Sequence, residues 1–253
     1  MSKYLQVAMQ AVNAMERVTV GYYYRTPRIR TKADRSPVTI ADISAEKAAI
    51  RVIKAHFPDH AIYGEEGGHR KTDSEFTWII DPIDGTKNFI RQIPLWGNLL
   101  ALYHQGEVIL GISNVPLMNE RLWAERGEGA YLNGDPVKVS ARSTLSDAMI
   151  SFTSVTSFRK VKQDENLLRL LYRTSRQRAF GDLWPYHLLA SGKLEIVIEA
   201  QIKAFDIAPF VCIIEEAGGA ISDIHGQPFS LDIRSFIATN GKLQKRVAGY
   251  FKA

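Results

Sequence analysis

Apolar residues recur at helical spacing near the start of the chain. Leu5, Ala8, Met9, Val12 and Met15 share one stripe, which predicts a helix from about Leu5 to Val18. A second helix is expected from Asp42 to His56, with Asp42 at its start and Phe57-Pro58 ending it. The period then changes. Ala61-Ile62-Tyr63 and Trp78-Ile79-Ile80 are short continuous apolar runs and read as buried strands. From Gly97 to Val139 strands alternate with turns. Asn114-Val115-Pro116 carries a turn signal, and Asn133-Gly134-Asp135-Pro136 suits a tight hairpin. Gly127-Glu128-Gly129 leads into strand-like Ala130-Tyr131-Leu132, so it reads as a β-turn and not as a nucleotide loop.

The second half alternates between the two periods. Strands are expected at Ala148–Phe152 and Leu194–Ile198, and helices at Asp164–Tyr172 and Leu183–Ala190. A further helix runs from Ile207 to Ala217 and is stopped by Gly218-Gly219. Strands near Ala220 and Phe236 precede a last helix from about Lys242. Such alternation predicts a layered α/β fold. No linker-like stretch or repeat divides the chain. Residues 1–253 are therefore expected to form one unit, with halves of about 1–140 and 141–253.

The chemistry concentrates where the second apolar run stops. Trp78-Ile79-Ile80-Asp81-Pro82-Ile83-Asp84-Gly85-Thr86 delivers two carboxylates, three positions apart, to the end of a strand. Oxygen ligands at a fixed separation suit a hard divalent cation such as Mg²⁺. The Gly85-Thr86 step adds backbone N–H groups and a hydroxyl, which suit a phosphate. For the turn alone, an ordinary solvated Asp-Pro-x-Asp-Gly loop is the alternative. Glu65 also follows an apolar strand and a glycine, which places it at a strand end. None of the 6 histidines forms a metal-type pair, because Phe57-Pro58 breaks the helix that His56 and His60 would share. An oxygen-only site is expected, not zinc. Ser157-Phe158-Arg159-Lys160 has an acyl-enzyme spacing that nothing nearby supports.

Composition narrows the remaining classes. The net charge of +5, with a pI near 9.2, raises the question of a nucleic-acid partner. The basic residues are dispersed among acids, however, and the Arg25–Arg35 cluster lacks interleaved aromatics. No nucleic acid is expected. No apolar run reaches the ~20 residues of a membrane span, and the start of the chain shows no evident signal peptide. Cys212, the 1 cysteine, lies in an apolar run and reads as core. Its solitude fits a reducing cytoplasm.

Three ordered segments resemble the inositol monophosphatase superfamily of Mg²⁺-dependent, lithium-sensitive phosphomonoesterases. They are Gly64-Glu65-Glu66, the Trp78–Thr86 string, and Phe205-Asp206-Ile207-Ala208-Pro209 leading into Glu215–Gly219. Phe205 stands where that family usually has Trp. The resemblance implies a five-layer αβαβα sandwich, a small phosphorylated metabolite as substrate, two or three Mg²⁺ ions and a homodimer. It implies Glu65, Asp81, the Ile83 carbonyl, Asp84 and Asp206 as metal ligands. Thr86 would hold the nucleophilic water, with Asp42 behind it as proton acceptor or orienter. Gly85 and Thr86 would hold the phosphate, with Asp206 beside it. Read without the resemblance, Asp42 and Asp206 are equally helix caps.

The segment Gly181-Asp182-Leu183-Trp184-Pro185-Tyr186 resembles the histidinol-phosphate phosphatase branch, because inositol-directed members carry small or hydroxyl residues near Asp182. Lys87-Asn88-Phe89-Ile90 and Pro94–Gly97 lean the same way, although members acting on phosphoadenosine phosphate share a lysine like Lys87. Histidinol phosphate carries an ammonium and an imidazole, which Asp182 and Glu199 could pair. Asp182 could instead cap the following helix. The alternatives are an inositol-1-monophosphatase, a broad-specificity sugar or nucleotide phosphatase, and a non-catalytic binding protein on the same scaffold.

Overall fold

The computed structural model describes residues 1–25, 29–31, 37–70 and 72–251. The first half of the chain supplies α1 (Lys3–Tyr23), β1 (Ile29–Thr31), β2 (Pro37–Thr39), α2 (Ile40–His56), β3 (Ala61–Gly64), β4 (Gly68–Arg70) and β5 (Phe76–Asp84). There follow α3 (Thr86–Ile90), β6 (Gly97–His104), β7 (Glu107–Val115), β8 (Glu120–Glu125), β9 (Ala130–Leu132) and β10 (Asp135–Val137). The second half supplies β11 (Met149–Phe152), α4 (Val155–Lys160), α5 (Asp164–Leu171), β12 (Arg176–Arg178) and α6 (Trp184–Ala190). It ends with β13 (Ile196–Ala200), α7 (Ala204–Glu216), β14 (Ala220–Ser222), β15 (Ser235–Thr239) and α8 (Gln244–Ala248). Of the basic stretch 25–35, residues 26–28 and 32–35 lie outside the described residues.

Period-two alternation sorts the strands' side chains into layers. In β5, Trp78 and Ile80 pack on α1 and α2, through Val12, Met15, Ala49 and Ile53. Ile79, between them, points to the opposite face and joins a core with α6 and α7. Strand β6 repeats this, with Leu100 and Leu102 on one face and Leu99 and Ala101 on the other. The first sheet has the order β10-β9-β8-β7-β6-β5-β3-β4. Only β3 and β5 run parallel in it. The second sheet, β12-β11-β13-β15-β14, offers Val197, Phe236 and Ala238 to the same central core. Its other face carries Ile196, Ile198 and Ile237 against α4, α5 and α8. The layers are therefore helix, sheet, helix, sheet, helix, as the resemblance implies.

The central layer sits close. A Cβ on Gly111 of β7 would lie 2.1 Å from the Pro209 carbonyl oxygen of α7, so only glycine permits this approach. Helix α7 ends as expected at the glycine pair. Gly218 takes a left-handed φ of 87°, and the Gly219 N–H reaches the Ile214 carbonyl at 2.8 Å. Cys212 is buried in this helix, and burial pushes its thiol up to about 12, as suits a packing residue. The Asn133-Gly134 hairpin turn has the positive φ at both residues that its sequence demands.

Boundaries depart from the sequence reading where side chains replace backbone signals. Helix α1 runs on to Tyr23, because the Thr19 hydroxyl turns back to the Met15 carbonyl at 3.1 Å instead of breaking the helix. Helix α2 starts at Ile40, with Thr39 as N-cap, and α7 starts at Ala204. Asn114 and Val115 are not a turn: both remain in β7, and the chain turns from Pro116. The Asn114 amide stays in the strand because it is paired there, accepting from Arg121 Nε at 2.9 Å. His60 belongs to an aromatic stack with Phe57 and Phe76, and accepts from Trp78 Nε1 at 3.1 Å.

Candidate active site

Strand β5 ends in a bulge. Its register with β6 pairs Asp81 with Leu99 and Asp84 with Gly97, so the strand slips between the two acids. The slip turns both carboxylates toward the same cleft. The Ile83 N–H donates to Asp81 Oδ1 at 3.0 Å, and the Ile83 side chain is buried with Phe89 and Trp96. Gly85 follows with φ 83° and ψ 35°. A Cβ there would sit 3.0 Å from the Leu95 carbonyl oxygen, so the turn into α3 needs glycine on two counts.

Two helices bring further acids by the same device. Asp42 is the third residue of α2, and Asp206 is the third residue of α7. Asp42 Oδ2 accepts from the Thr39 N–H at 2.8 Å and from the Thr39 hydroxyl at 2.6 Å. The Thr39 hydroxyl accepts in turn from the Ala41 N–H at 3.1 Å, an arrangement worth about 1 kcal/mol to a helix start. That leaves Asp42 Oδ1 for the Thr86 hydroxyl, 3.5 Å away. Thr86 Oγ1 also lies 3.1 Å from the Ile83 carbonyl oxygen. Asp206 Oδ2 accepts from the Lys203 N–H at 2.8 Å. For both aspartates capping therefore coexists with a position at the site.

Asp81, Asp84 and Asp206 each offer a carboxylate oxygen, and these oxygens lie within 4.8 Å of one another. Glu65, just beyond β3, lines the same cleft of about 300 Å³, and its N–H donates to the Ile80 carbonyl at 3.1 Å. Burial, then the charges of Glu65, Asp84 and Asp206, holds the Asp81 carboxyl well above the usual carboxylate range. Asp84 is raised for the same reason, by burial and then by Asp182, Asp206 and Glu199. Burial raises Asp206 to about 7 against the Lys203 hydrogen bond. Asp84 Oδ2 is buried with no hydrogen-bond partner. An unpaired buried carboxylate is costly unless a cation meets it. The donors are all oxygen, and two more carboxylates lie beside that of Asp84. The residues fit a hard divalent cation.

Asp182 and Glu199 also line the cleft, with Asp182 beside the Gly85 turn. Asp182 does not cap α6: Leu183 occupies the N-cap position, and no side chain caps the helix. Asp182 instead takes a left-handed φ of 50° and turns its carboxylate to α3, where Asn88 Nδ2 donates to Oδ2 at 2.8 Å. The same Asn88 amide donates to the Leu95 carbonyl at 2.8 Å. Burial pushes Asp182 up to about 6, with Lys87 pulling it back. Glu199 on β13 is raised by burial to about 8, and its Oε1 has no well-formed partner. The Tyr186 hydroxyl faces Glu199 closely enough to lower that value, without a well-directed hydrogen bond.

Every residue singled out in the sequence for metal or phosphate lines this cleft or touches a residue that does. Asn98 and Glu46 were missed as supporting residues, and Asn88 was singled out only within the Lys87–Ile90 string. Asn88 bonds the Leu95 carbonyl and Asp182, and Asn98 bonds the Pro82 carbonyl, contacts that leave no periodic pattern in the sequence. Glu46 is buried one helical turn beyond Asp42, and its carboxylate accepts from the Glu66 N–H at 2.8 Å under the Glu65 turn. An acid at i+4 from Asp42 was the available signal. Ser157 lies on α4 at the cleft wall. A Ser113–His187–Glu120 chain, with contacts of 2.8 and 3.2 Å, has the order of a nucleophilic triad. Ser113 and His187 are buried away from the cleft, so the chain fastens α6 to β7 and β8.

The description "Inositol monophosphatase family" belongs to the family model that matches residues 1–253. A histidinol-phosphatase from Chlorobaculum parvum is 34% identical over 244 residues, covering 96% of this chain and 94% of that protein. Another, from Mycobacterium tuberculosis, is 36% identical and covers 87% of this chain and 86% of that protein. The solved structure of a Thermotoga maritima IMPase is similar with a TM-score of 0.89 at 30% identity, covering 99% of this chain and 97% of that one.

Proposed function

This chain belongs to the inositol monophosphatase family and is a phosphoric monoester hydrolase; from that premise we propose that it hydrolyses histidinol phosphate to histidinol with Mg²⁺. The observation that carries the substrate is Asp182. It is an acid held in a left-handed conformation in the same cleft as the three clustered aspartates, beside the Gly85 turn. Asn88 fixes it there through one carboxylate oxygen. Glu199 adds a second carboxyl to the same cleft. Such a pair suits the ammonium and imidazole of histidinol phosphate better than the hydroxyls of inositol.

Glu65, Asp81, the Ile83 carbonyl, Asp84 and Asp206 hold the metal in this reading. A Mg²⁺ bound there would neutralise the phosphate and acidify a water. The Gly85 and Thr86 N–H groups bind phosphate oxygens at the turn into α3. Thr86 Oγ1 accepts a hydrogen bond from the attacking water and passes its own proton toward Asp42 Oδ1. Thr39 keeps Asp42 in place for that role. In-line attack then needs no covalent phosphoenzyme. Two or three ions, lithium inhibition, a homodimer and a cytoplasmic setting belong to the same proposal by kinship. No helix among the described residues is long and apolar enough to cross a membrane.

The test is Asp182→Asn. Loss of a charged hydrogen bond is worth roughly 1.5–3 kcal/mol, or about ten- to a hundred-fold in kcat/KM for histidinol phosphate. Uncharged phosphomonoesters of similar size should change little, because they offer Asp182 no cation. Equal losses on both kinds of substrate would reassign Asp182 to structure. The reading would then fall back to an inositol-directed or broad-specificity phosphatase.

A further inference from the structure

The bulge that aims the metal ligands has an unusual support. Between the pairs Asp81–Leu99 and Asp84–Gly97, two residues of β5 face one residue of β6, Asn98. The register slips there, so the Pro82 carbonyl falls outside the regular pairing of the ladder. A buried carbonyl without a partner costs about 1–3 kcal/mol. The Asn98 side chain takes up that place. Its Nδ2 donates to the Pro82 carbonyl oxygen at 2.7 Å, inside an otherwise apolar stretch of strand.

Asn98 is fully buried and is itself held. Its Oδ1 accepts from Asn114 Nδ2 at 3.3 Å, and its amide also reaches Thr19 Oγ1 at 3.4 Å. Asn114 Oδ1 accepts from Arg121 Nε at 2.9 Å. Arg121 Nη2 then donates to Glu16 Oε2 at 2.7 Å, and Glu16 Oε2 also accepts from Asn114 at 3.2 Å. The chain of bonds ties α1, β6, β7 and β8 to one peptide between Asp81 and Asp84. A core asparagine needed only to satisfy itself would not require that particular carbonyl.

We infer that Asn98 is a positioning residue for the metal site: it bonds the carbonyl that the bulge sets outside the ladder and so fixes the spacing of Asp81, the Ile83 carbonyl and Asp84. This rests on the metal reading above. Partners that orient ligands from behind are worth about 10- to 100-fold in metal affinity. Loss of the Asn98 donor should fall at the lower end, because the ligands themselves remain.

The experiment is direct Mn²⁺ titration of purified, substrate-free protein, read by calorimetry or electron paramagnetic resonance. Asn98→Val should bind Mn²⁺ about tenfold more weakly than wild type. Thr19→Val removes a partner of the same amide but spares the Pro82 bond, and should bind Mn²⁺ as wild type does, whatever it loses in melting temperature. If Asn98→Val does not fold, Asn98→Ser, whose hydroxyl is too short to reach Pro82, should show the same loss. Unchanged Mn²⁺ affinity in the Asn98 variants would overturn the inference, as would an equal loss in Thr19→Val. A wild-type protein that binds no Mn²⁺ would instead overturn the metal site itself, and this inference with it.

Discussion

Asp84→Asn is expected to fold normally and to lose nearly all turnover, even at saturating Mg²⁺. The substitution keeps size and shape but removes one charge and one anionic donor from the cluster with Asp81 and Asp206. The fall should be roughly 100-fold or more, since even an outer partner of a metal ligand is worth about 10- to 100-fold. Folding should not suffer. The Asp84 carboxylate is buried, its Oδ2 has no partner, and Asp182, Asp206 and Glu199 all repel it. An uncharged amide relieves that repulsion in metal-free protein. Phosphate release and a thermal melt in chelator separate the two effects. Near-normal turnover with saturating Mg²⁺ would remove Asp84 from the metal site.

Thr86→Ala should lower kcat by about 10²–10⁴-fold and leave KM nearly unchanged. The hydroxyl sits between the Ile83 carbonyl and Asp42 Oδ1, at 3.1 and 3.5 Å, where it can orient a water. In the proposed mechanism it contributes to the transition state much more than to substrate binding, because there the phosphate is held by backbone N–H groups that alanine retains. A defect confined to KM would place the Thr86 hydroxyl in binding and leave the water without its orienter.

How far the sequence disclosed this site depends on how local each contact is. Asp81, Ile83, Asp84, Gly85 and Thr86 were legible because one strand end carries them all. The two helix-borne aspartates were legible in place but not in role. Each is the third residue of its helix, and the N-cap is Thr39 in α2 and Lys203 in α7. Thr39-x-x-Asp42 is a capping-box spacing that would have set the start of α2 two residues earlier. Asp182 was ambiguous, because a left-handed φ at a non-glycine residue is a tertiary outcome, imposed here by Asn88 from 94 positions away. Asn98 and Asn114 show the limit most clearly. Both are strand residues whose amides satisfy groups on other elements, so propensity and periodicity misjudge them: Asn114 reads as a turn and lies inside β7. The five layers were implied by resemblance, while alternation alone gave a layered α/β fold without their order.

Metal-dependent hydrolysis of a cationic phosphomonoester is the activity from which everything above follows. One panel tests it: phosphate release by the wild-type protein from histidinol phosphate, inositol monophosphate and phosphoadenosine phosphate, each with Mg²⁺ and with chelator. The highest kcat/KM should be for histidinol phosphate, with all activity lost on chelation and restored by Mg²⁺. Preference for inositol monophosphate would contradict the substrate assignment, and release that persists in chelator would contradict the metal site.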